Sequence, residues 1–301
     1  MHVHHSGNDE HTGGSSHTSK GLKIAFLLNL GFLVVEIVGG VLTNSVAILS
    51  DAVHDLGDTV TIFVSWLLER FSTKKRTVNH TYGFRRLSVL GALISAVVLI
   101  LGSAFILYEA IPRLLAPEEV SPRGMLVLAL VGTIVNGIAV LRLRGGRKIS
   151  ERVVFLHLLE DVMGWMAVLV VSVVLLFVDL PILDPILSLG ITIFVLSKII
   201  PNLKAALHIF LQYAPKEVAV EEVKSRLESI DSITDVHDIH VWSLDGEYTV
   251  LSAHVVIDKD LSLSGLAGVR AQVRDHLKNI GIDHQTIEFE ATAEICADCD
   301  L

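Results

Sequence analysis

The sequence lacks the features that mark secreted proteins and nucleic-acid-binding proteins. It has only 2 cysteines, Cys296 and Cys299, which are too close together and too near the end for a structural disulfide framework. No apolar segment precedes Ile24, so we expect no cleaved signal peptide. The formal net charge of −9 argues against nucleic acid as a partner, because nucleic acids bind basic surfaces.

Charged residues are also scarce, at 19% of the chain against about 25% in ordinary soluble proteins. Apolar residues replace them in uncharged runs, for example at 89–107, 125–141 and 162–178. Runs of this length approach the roughly 20 residues that an α-helix needs to cross a bilayer. The pattern predicts an all-α transmembrane bundle of six helices, at residues 22–43, 45–70, 87–110, 124–142, 153–178 and 183–200.

Basic residues are unevenly distributed among the connections between these predicted spans. Most lie between spans two and three or between spans four and five: Lys74, Lys75, Arg76, Arg85, Arg86, Arg142, Arg144, Arg147, Lys148 and Arg152. The connection between spans three and four has only Arg113 and Arg123, and the two remaining turns have no Lys or Arg. By the positive-inside rule we expect both termini in the cytoplasm of a multi-pass protein of the cell membrane.

The chain changes character near Pro215, where helical and alternating strand patterns replace the apolar runs. The order of these patterns is α-β-β-α-β, with Asp245-Gly246 predicted to form a two-residue hairpin turn. The His-rich start of the chain predicts disorder, either holding metal loosely or simply solvated. We therefore expect a His-rich tail at 1–20, a transmembrane domain at 21–210, a cytoplasmic α+β domain at 211–291, and a tail with Cys-x-x-Cys at 292–301.

Four ionisable side chains share one stripe of the second predicted span. Asp51, His54, Asp55 and Asp58 stand at positions i, i+3, i+4 and i+7, which lie on one side of a helix. A charged side chain at the bilayer centre costs at least about 2.5–3.5 kcal/mol. The stripe therefore needs a compensating partner, and a divalent cation is sufficient.

The fifth predicted span supplies a matching pair, His157 and Asp161, with the same spacing of four as His54 and Asp58. Two such helices face to face offer two imidazole nitrogens and two carboxylate oxygens, a donor set that suits tetrahedral zinc. Alternatively, the pairs hydrogen-bond the helices together without metal. That alternative does not easily explain four ionisable residues on one stripe.

Three segments resemble the cation diffusion facilitator family, the class of zinc transporters that includes bacterial cadmium–zinc–cobalt exporters. They are Thr-Asn-Ser-Val-Ala-Ile-Leu-Ser-Asp-Ala-Val-His at 43–54, Tyr-Gly-Phe-Arg-Arg at 82–86 with Gly91-Ala92, and Leu-His-Leu-Leu-Glu-Asp at 156–161. The resemblance implies a homodimer with six membrane helices and a ferredoxin-like cytoplasmic domain. It also implies metal/proton exchange, with zinc as substrate and cadmium or cobalt as alternatives.

The family's transport-site ligands match His54, Asp58, His157 and Asp161 one for one. Asp55 and Glu160 occupy positions that are usually uncharged in the family. Together with Asp51 they are candidates for a proton or metal pathway. Glu36 and Asn136 are either polar neighbours of that pathway or, as we expect, residues that hydrogen-bond neighbouring helices. Because zinc needs neutral imidazole and ionised carboxylate, protons compete with it, and alternating access would then couple export to a proton gradient.

A second group of candidate ligands lies in the cytoplasmic part. Family members that resemble this chain carry regulatory zinc sites at positions matching His237, His254, Glu290, Cys296 and Cys299, and Cys-x-x-Cys is a common half-site for zinc. His284 and His240 lie nearby in the sequence and are added as candidates, although His240 is more typical of packing in the sheet or at a dimer contact. Any one of these histidines also fits a solvated or hydrogen-bonded side chain.

Two other functions compete with transport. An intramembrane zinc hydrolase would use Glu160 as its base, but a catalytic zinc keeps an open position beside three protein ligands, and four are present here. The sequence also has no His-Glu-x-x-His motif. A passive metal channel or sensor stays open as an alternative. We expect a secondary active transporter and not an enzyme.

Overall fold

The computed structural model describes the backbone of residues 14–72, 78–143, 149–258 and 261–291. The chain forms two compact units: Met1–Lys75 with Gly91–Leu203, and Arg76–Leu90 with Lys204–Leu301. Residues 1–13 of the His-rich start, several basic residues at 73–77 and 144–148, and both cysteines lie outside the described residues. Residues 14–20, expected to belong to a disordered tail, instead form the first turns of helix α1.

Long helices make up the first unit. In chain order they are α1 Gly14–Thr43, α2 Val46–Ser72, α3 Arg86–Leu115, α4 Pro122–Leu143, α5 Ile149–Phe177 and α6 Leu183–Phe210. In the described chain, all of these except α2 contain a stretch long and apolar enough to cross a membrane. The second helix differs because Asp51, Asp55 and Asp58 interrupt its apolar sequence.

The sequence prediction ended two of these helices too early. It placed their ends at 110 and 200, just before or near a proline, whereas α3 continues through Pro112 and α6 through Pro201. Proline removes one backbone donor from a helix, but the apolar turns on both sides continue to pack and carry the helix past it.

The helices place apolar side chains outward and polar side chains inward. Leu42, Leu101 and Phe177 are 78%, 66% and 84% exposed, whereas Ser172 and Thr192 are buried. The packing is closest within two pairs of helices, α1 with α2 and α4 with α5, and much sparser between α2 and α5. In the second pair, Gly132 lies against the ring of Trp165, where no side chain would fit.

The second unit contains a small sheet with helices on one face. Its elements are α7 Val220–Glu228, β1 Ile233–Ser243, β2 Thr249–Ile257, α8 Leu263–Asn279 and β3 His284–Ala291. The sheet order is β1-β2-β3, with β1 and β2 antiparallel and β2 and β3 parallel. Leu251 and Val255 of β2 pack in one core with Leu227 and Val273 of the helices. His254, between them on the alternating strand, faces the other side.

The predicted two-residue hairpin turn at Asp245-Gly246 is wrong. The connection between β1 and β2 runs over 244–248, because the Oδ1 atom of Asp245 accepts the backbone N–H groups of Glu247 and Tyr248. A side chain that bonds its own turn in this way stabilises a longer loop. Gly246 supplies the left-handed backbone that the loop needs, with φ of 96°.

Candidate metal centres

The first candidate centre lies between α2 and α5. Each helix carries a histidine and an aspartate one turn apart, so both side chains lie on the same side of the helix. The Nε2 atom of His157 lies 3.3 Å from Oδ2 of Asp58 and 3.9 Å from Oδ2 of Asp161. The Nε2 atom of His54 lies 3.6 Å from Oδ2 of Asp58 and 3.7 Å from Oδ1 of Asp161. The structure therefore brings all four residues of the predicted membrane group together.

The spacing of these atoms is close to that of a tetrahedral metal site. Zinc–ligand bonds of about 2.0–2.1 Å put neighbouring donor atoms roughly 3.3–3.4 Å apart. Oδ2 of Asp58 and Oδ1 of Asp161 are buried and accept no hydrogen bond from the described residues. Ligand atoms of His54, Asp58 and His157 all lie within 4.8 Å of one another, as a shared ion requires. The residues present fit a small divalent cation.

The acidic residues beside this group have different surroundings. The Glu160 carboxylate forms an ion pair with the Lys198 ammonium of α6, a partner that sequence spacing did not identify. Asp51 and Asp55 are buried instead. Glu36 of α1 was expected to hydrogen-bond a neighbouring helix, and its carboxyl meets that of Asp55 in α2, although neither of its oxygens accepts a hydrogen bond from another donor of the described residues.

The second candidate centre lies on the sheet face opposite the helices. His237 and His254 are directly opposed across β1 and β2, and Glu290 reaches them from β3. Nε2 of His237 lies 3.3 Å from Oε2 of Glu290, and Nδ1 of His254 lies 2.7 Å from its Oε1. These three residues bring their ligand atoms within 4.8 Å of one another. They are the core of the cytoplasmic group that the sequence indicated.

Asp235 orients one of these histidines. Its carboxylate contacts Nδ1 of His237 at 3.2 Å, which leaves Nε2 of that ring to face Glu290. The hydrogen bond from the Lys224 ammonium and then that from His237 hold the pKa of Asp235 below its usual value. A carboxylate behind a histidine in this way fixes the ring's orientation and its tautomer.

A bulge in β1 brings a further carboxylate to the same face. The register shifts between His237 and His240, and Asp238 adopts a left-handed backbone with φ of 49°. Its Oδ1 lies 2.7 Å from Nε2 of His240, and its Oδ2 lies 3.6 Å from Nε2 of His254. Sequence alternation did not identify Asp238, because a regular strand would have pointed it toward the helices.

The remaining cytoplasmic candidates do not join this cluster within the described chain. His284 begins β3, and its ring packs edge-on against Tyr82 at 5.7 Å between centroids. The side chain of His240 is exposed, at 56% accessibility. Cys296 and Cys299 lie outside the described residues, so their predicted part in a metal site stays a prediction.

Comparison with known proteins covers nearly the whole chain. Residues 22–211 match the cation efflux transmembrane domain, and residues 215–291 match the cation efflux protein cytoplasmic domain. The chain is 32% identical over 287 residues to the cadmium, cobalt and zinc/H(+)-K(+) antiporter of Bacillus subtilis, covering 94% of this chain and 92% of that protein.

Two further relatives have a similar level of identity. Zinc transporter ZitB of Escherichia coli is 31% identical over 304 residues, covering 97% of this chain and 95% of the relative. The metal cation efflux system protein CzcD of Cupriavidus metallidurans is 31% identical over 284 residues, covering 93% and 88% respectively.

Proposed function

The chain belongs to the cation efflux family, whose members are transporters and not enzymes, and from that premise we propose that it exports zinc from the cytoplasm in exchange for protons. One observation carries the proposal. His54, Asp58, His157 and Asp161 converge from two helices at one place in an apolar bundle, and two of their carboxylate oxygens accept no hydrogen bond from the described residues.

The donor set favours zinc as the substrate. Two neutral imidazoles and two carboxylates saturate a four-coordinate ion, and the two negative charges cancel the charge of a divalent cation. A neutral complex lowers the cost of holding the ion inside the membrane. The names of the relatives include cadmium and cobalt as well as zinc, so both ions are alternative substrates of the same four ligands.

Proton coupling follows from the chemistry of these ligands. A histidine must lose its proton before it binds metal, and a carboxylate must be ionised. Zinc entering from the cytoplasm therefore displaces protons, and protons entering from the outside displace zinc. Alternating access would expose His54, Asp58, His157 and Asp161 to one side at a time. Glu160, paired with Lys198, and Asp51 and Asp55 are proposed to line the proton or metal pathway.

The proposed architecture has six membrane crossings, with α2 as the crossing whose polar stripe faces the bundle interior. The transmembrane domain is proposed to cover 21–210 and the ferredoxin-like cytoplasmic domain 211–291, with tails at 1–20 and 292–301. Both termini would lie in the cytoplasm of a cell-membrane protein, because the basic connections lie on that side. We propose that two chains form a homodimer in the bilayer.

A second role for zinc is proposed in the cytoplasmic domain. His237, His254 and Glu290 would hold a regulatory ion there, and Nε2 of His237 supports this because it is buried and makes no hydrogen bond to the described residues. Cys296 and Cys299 are proposed to add ligands from the tail.

Zinc flux into proteoliposomes tests the transport proposal. Flux should rise when an opposing proton gradient is imposed, and Asp58→Ala and Asp161→Ala should abolish it while the protein still elutes as a folded species. Glu109→Gln, on α3 beside Arg113, is a control at an acidic position outside the group. Flux indifferent to the proton gradient would indicate a passive channel, and wild-type flux in Asp161→Ala would mean that the site is wrong.

A further inference from the structure

Three carboxylates are buried together beside the transport site. Glu36 of α1 is 1% exposed, and Asp51 and Asp55 of α2 are 5% and 8% exposed. In the described chain none of them forms an ion pair with Lys, Arg or His, in contrast to Glu160 with its partner Lys198. Three adjacent carboxylates without a cation are costly in the interior of a membrane protein.

The Glu36 side chain points into this cluster and meets no Lys, Arg or His partner among the described residues. Its carboxylate meets that of Asp55 and lies close to that of Asp51. Both of its oxygen atoms are buried and accept no hydrogen bond from the described residues. Two facing carboxylates can be adjacent only if something positive lies between them. The candidates are a metal cation and a shared proton.

Helix α5, which carries His157 and Asp161, leaves room for a ligand beside Asp51. Gly164 of α5 lies so close to Asp51 that a Cβ atom there would be 3.3 Å from Oδ1 of the aspartate. Because Gly164 follows Asp161 by three residues, both lie on the same side of α5. The cluster is therefore continuous with the four-residue transport site.

Two of the three carboxylates, Glu36 and Asp51, also lie on one side of that site. Asp51 lies near the start of α2, before His54 and Asp58, and Glu36 lies in the last part of α1, which ends at Thr43. In the proposed orientation the turn between α1 and α2 faces the outside. Glu36 and Asp51 thus lie between the transport site and the outer end of the bundle, and Asp55, the residue after His54, lies level with that site.

We propose that Glu36, Asp51 and Asp55 form a second, oxygen-only site for a divalent cation, which receives the transported ion as it leaves His54, Asp58, His157 and Asp161. The proposal rests on the proposed export function and adds a step to it. A site of carboxylates alone suits hard cations such as Mn²⁺ and holds zinc less tightly than a mixed nitrogen and oxygen site. Weaker binding on the outer side favours release.

Binding of Mn²⁺ to the full-length protein in detergent tests the site directly. All proteins carry Asp58→Ala and Asp161→Ala, which remove both carboxylates of the transport site, and His254→Ala, which disables the cytoplasmic centre. This parent should still bind Mn²⁺. Adding Glu36→Gln, which keeps the size of the side chain, should weaken Mn²⁺ binding at least about tenfold, the effect typical of losing a residue that supports a metal site. Adding Glu109→Gln should leave binding unchanged.

Asp51→Asn provides a second variant that should weaken Mn²⁺ binding in the same way. A protein that carries Glu36→Gln alone, with the transport site intact, shows whether this substitution preserves the fold. Its elution on gel filtration and its zinc affinity should match those of the wild type. Equal Mn²⁺ affinity in the parent and in both variants would overturn the proposal and leave a shared proton between the carboxylates.

The outcome is independent of the export function. Mn²⁺ binding is measured in a protein that cannot transport, so a failed flux assay does not decide it. If the export function and the second cation site are both correct, Glu36→Gln should lower the maximal zinc flux. The zinc concentration for half-maximal flux should stay nearly unchanged, because the release of zinc is impaired and its capture is not.

Discussion

The carboxylate of Asp184, in the first turn of α6, accepts a 2.7 Å hydrogen bond from the backbone N–H of Val46, the first residue of α2. Its other oxygen accepts the hydroxyl of Ser45 at 2.5 Å. The first N–H groups of a helix have no partner within that helix. Asp184 therefore caps α2 from a distant part of the chain and fixes the helix that carries His54 and Asp58.

Replacing Asp184 with Ala should destabilise the protein by about 2 kcal/mol, because a helix cap and buried hydrogen bonds are lost together. Thermal unfolding of the purified protein in detergent measures the change. Asp179→Ala, an exposed aspartate in the preceding turn, is the matched control and should leave the midpoint unchanged. Identical midpoints for both variants would show that the cap contributes nothing.

The second prediction concerns metal choice at the membrane site. His54→Asp exchanges one nitrogen for a third oxygen, which makes the site harder and should weaken its discrimination against manganese and cadmium relative to zinc. One imidazole proton no longer competes with metal, so binding should persist to lower pH. Competitive binding of the three ions at several pH values measures both effects. Unchanged selectivity and an unchanged pH midpoint would exclude His54 as a ligand.

The third prediction concerns the sheet site. His254→Ala should lower the zinc retained per chain by one ion, because His254 is proposed to bind that ion with His237 and Glu290, whose ligand atoms lie within 4.8 Å of one another. Metal analysis after gel filtration measures this. His284→Ala, whose ring packs on Tyr82, should retain the wild-type amount. Equal losses in the two variants would argue against a defined site.

The fourth prediction concerns Asp245, which bonds its own loop and the Arg85 guanidinium at 2.8 Å. Burial raises the pKa of this carboxyl, but hydrogen bonds from two backbone N–H groups and from Arg85 together hold it below its usual value of 3.8. A depressed folded pKa means that the ionised form stabilises the fold. That stabilisation is fully present at pH values above the pKa of Asp245 in the unfolded chain, and it is lost as the pH falls through the pKa of Asp245 in the folded protein.

Asp245→Ala should therefore cost about 1–2 kcal/mol near neutral pH, the range for two net hydrogen bonds. The difference in unfolding midpoint from wild type should shrink below about pH 4. Thermal unfolding across that pH range measures it, with Asp258→Ala as an exposed control. A difference that stays constant into acid would mean that the charge of Asp245 is unimportant.

Long apolar runs were sufficient to predict the number and order of the long helices, though not the ends of α3 and α6. Helical periodicity was sufficient for the spacing of the membrane ligands. Four-residue spacing places His54 above Asp58 and His157 above Asp161 in any α-helix, so their grouping needed only that α2 and α5 be neighbours. The order of helices and strands after Pro215 likewise follows from alternating and helical patterns.

The features that periodicity missed all depend on tertiary contacts. Lys198 meets Glu160 only because α6 packs beside α5, and no sequence spacing encodes that pairing. Asp238 reaches the histidine face through a left-handed residue in a bulge, which the strand pattern cannot indicate. Side-chain bonds from Asp245 decide the length of the hairpin loop, so the dipeptide Asp-Gly alone gave the wrong turn.

Helices α1 and α2 pack tightly, as do α4 and α5, whereas α2 and α5 make few contacts. This difference has a consequence for the rate of transport. The four proposed ligands are divided between these two helix pairs, so a bound cation acts as a removable cross-link between α2 and α5, in addition to the apolar contacts that join the pairs. The tighter the cross-link, the longer the two pairs stay in one arrangement. We therefore expect affinity and turnover to oppose each other in this protein, so that the strongest binder among its substrates is not the one carried fastest.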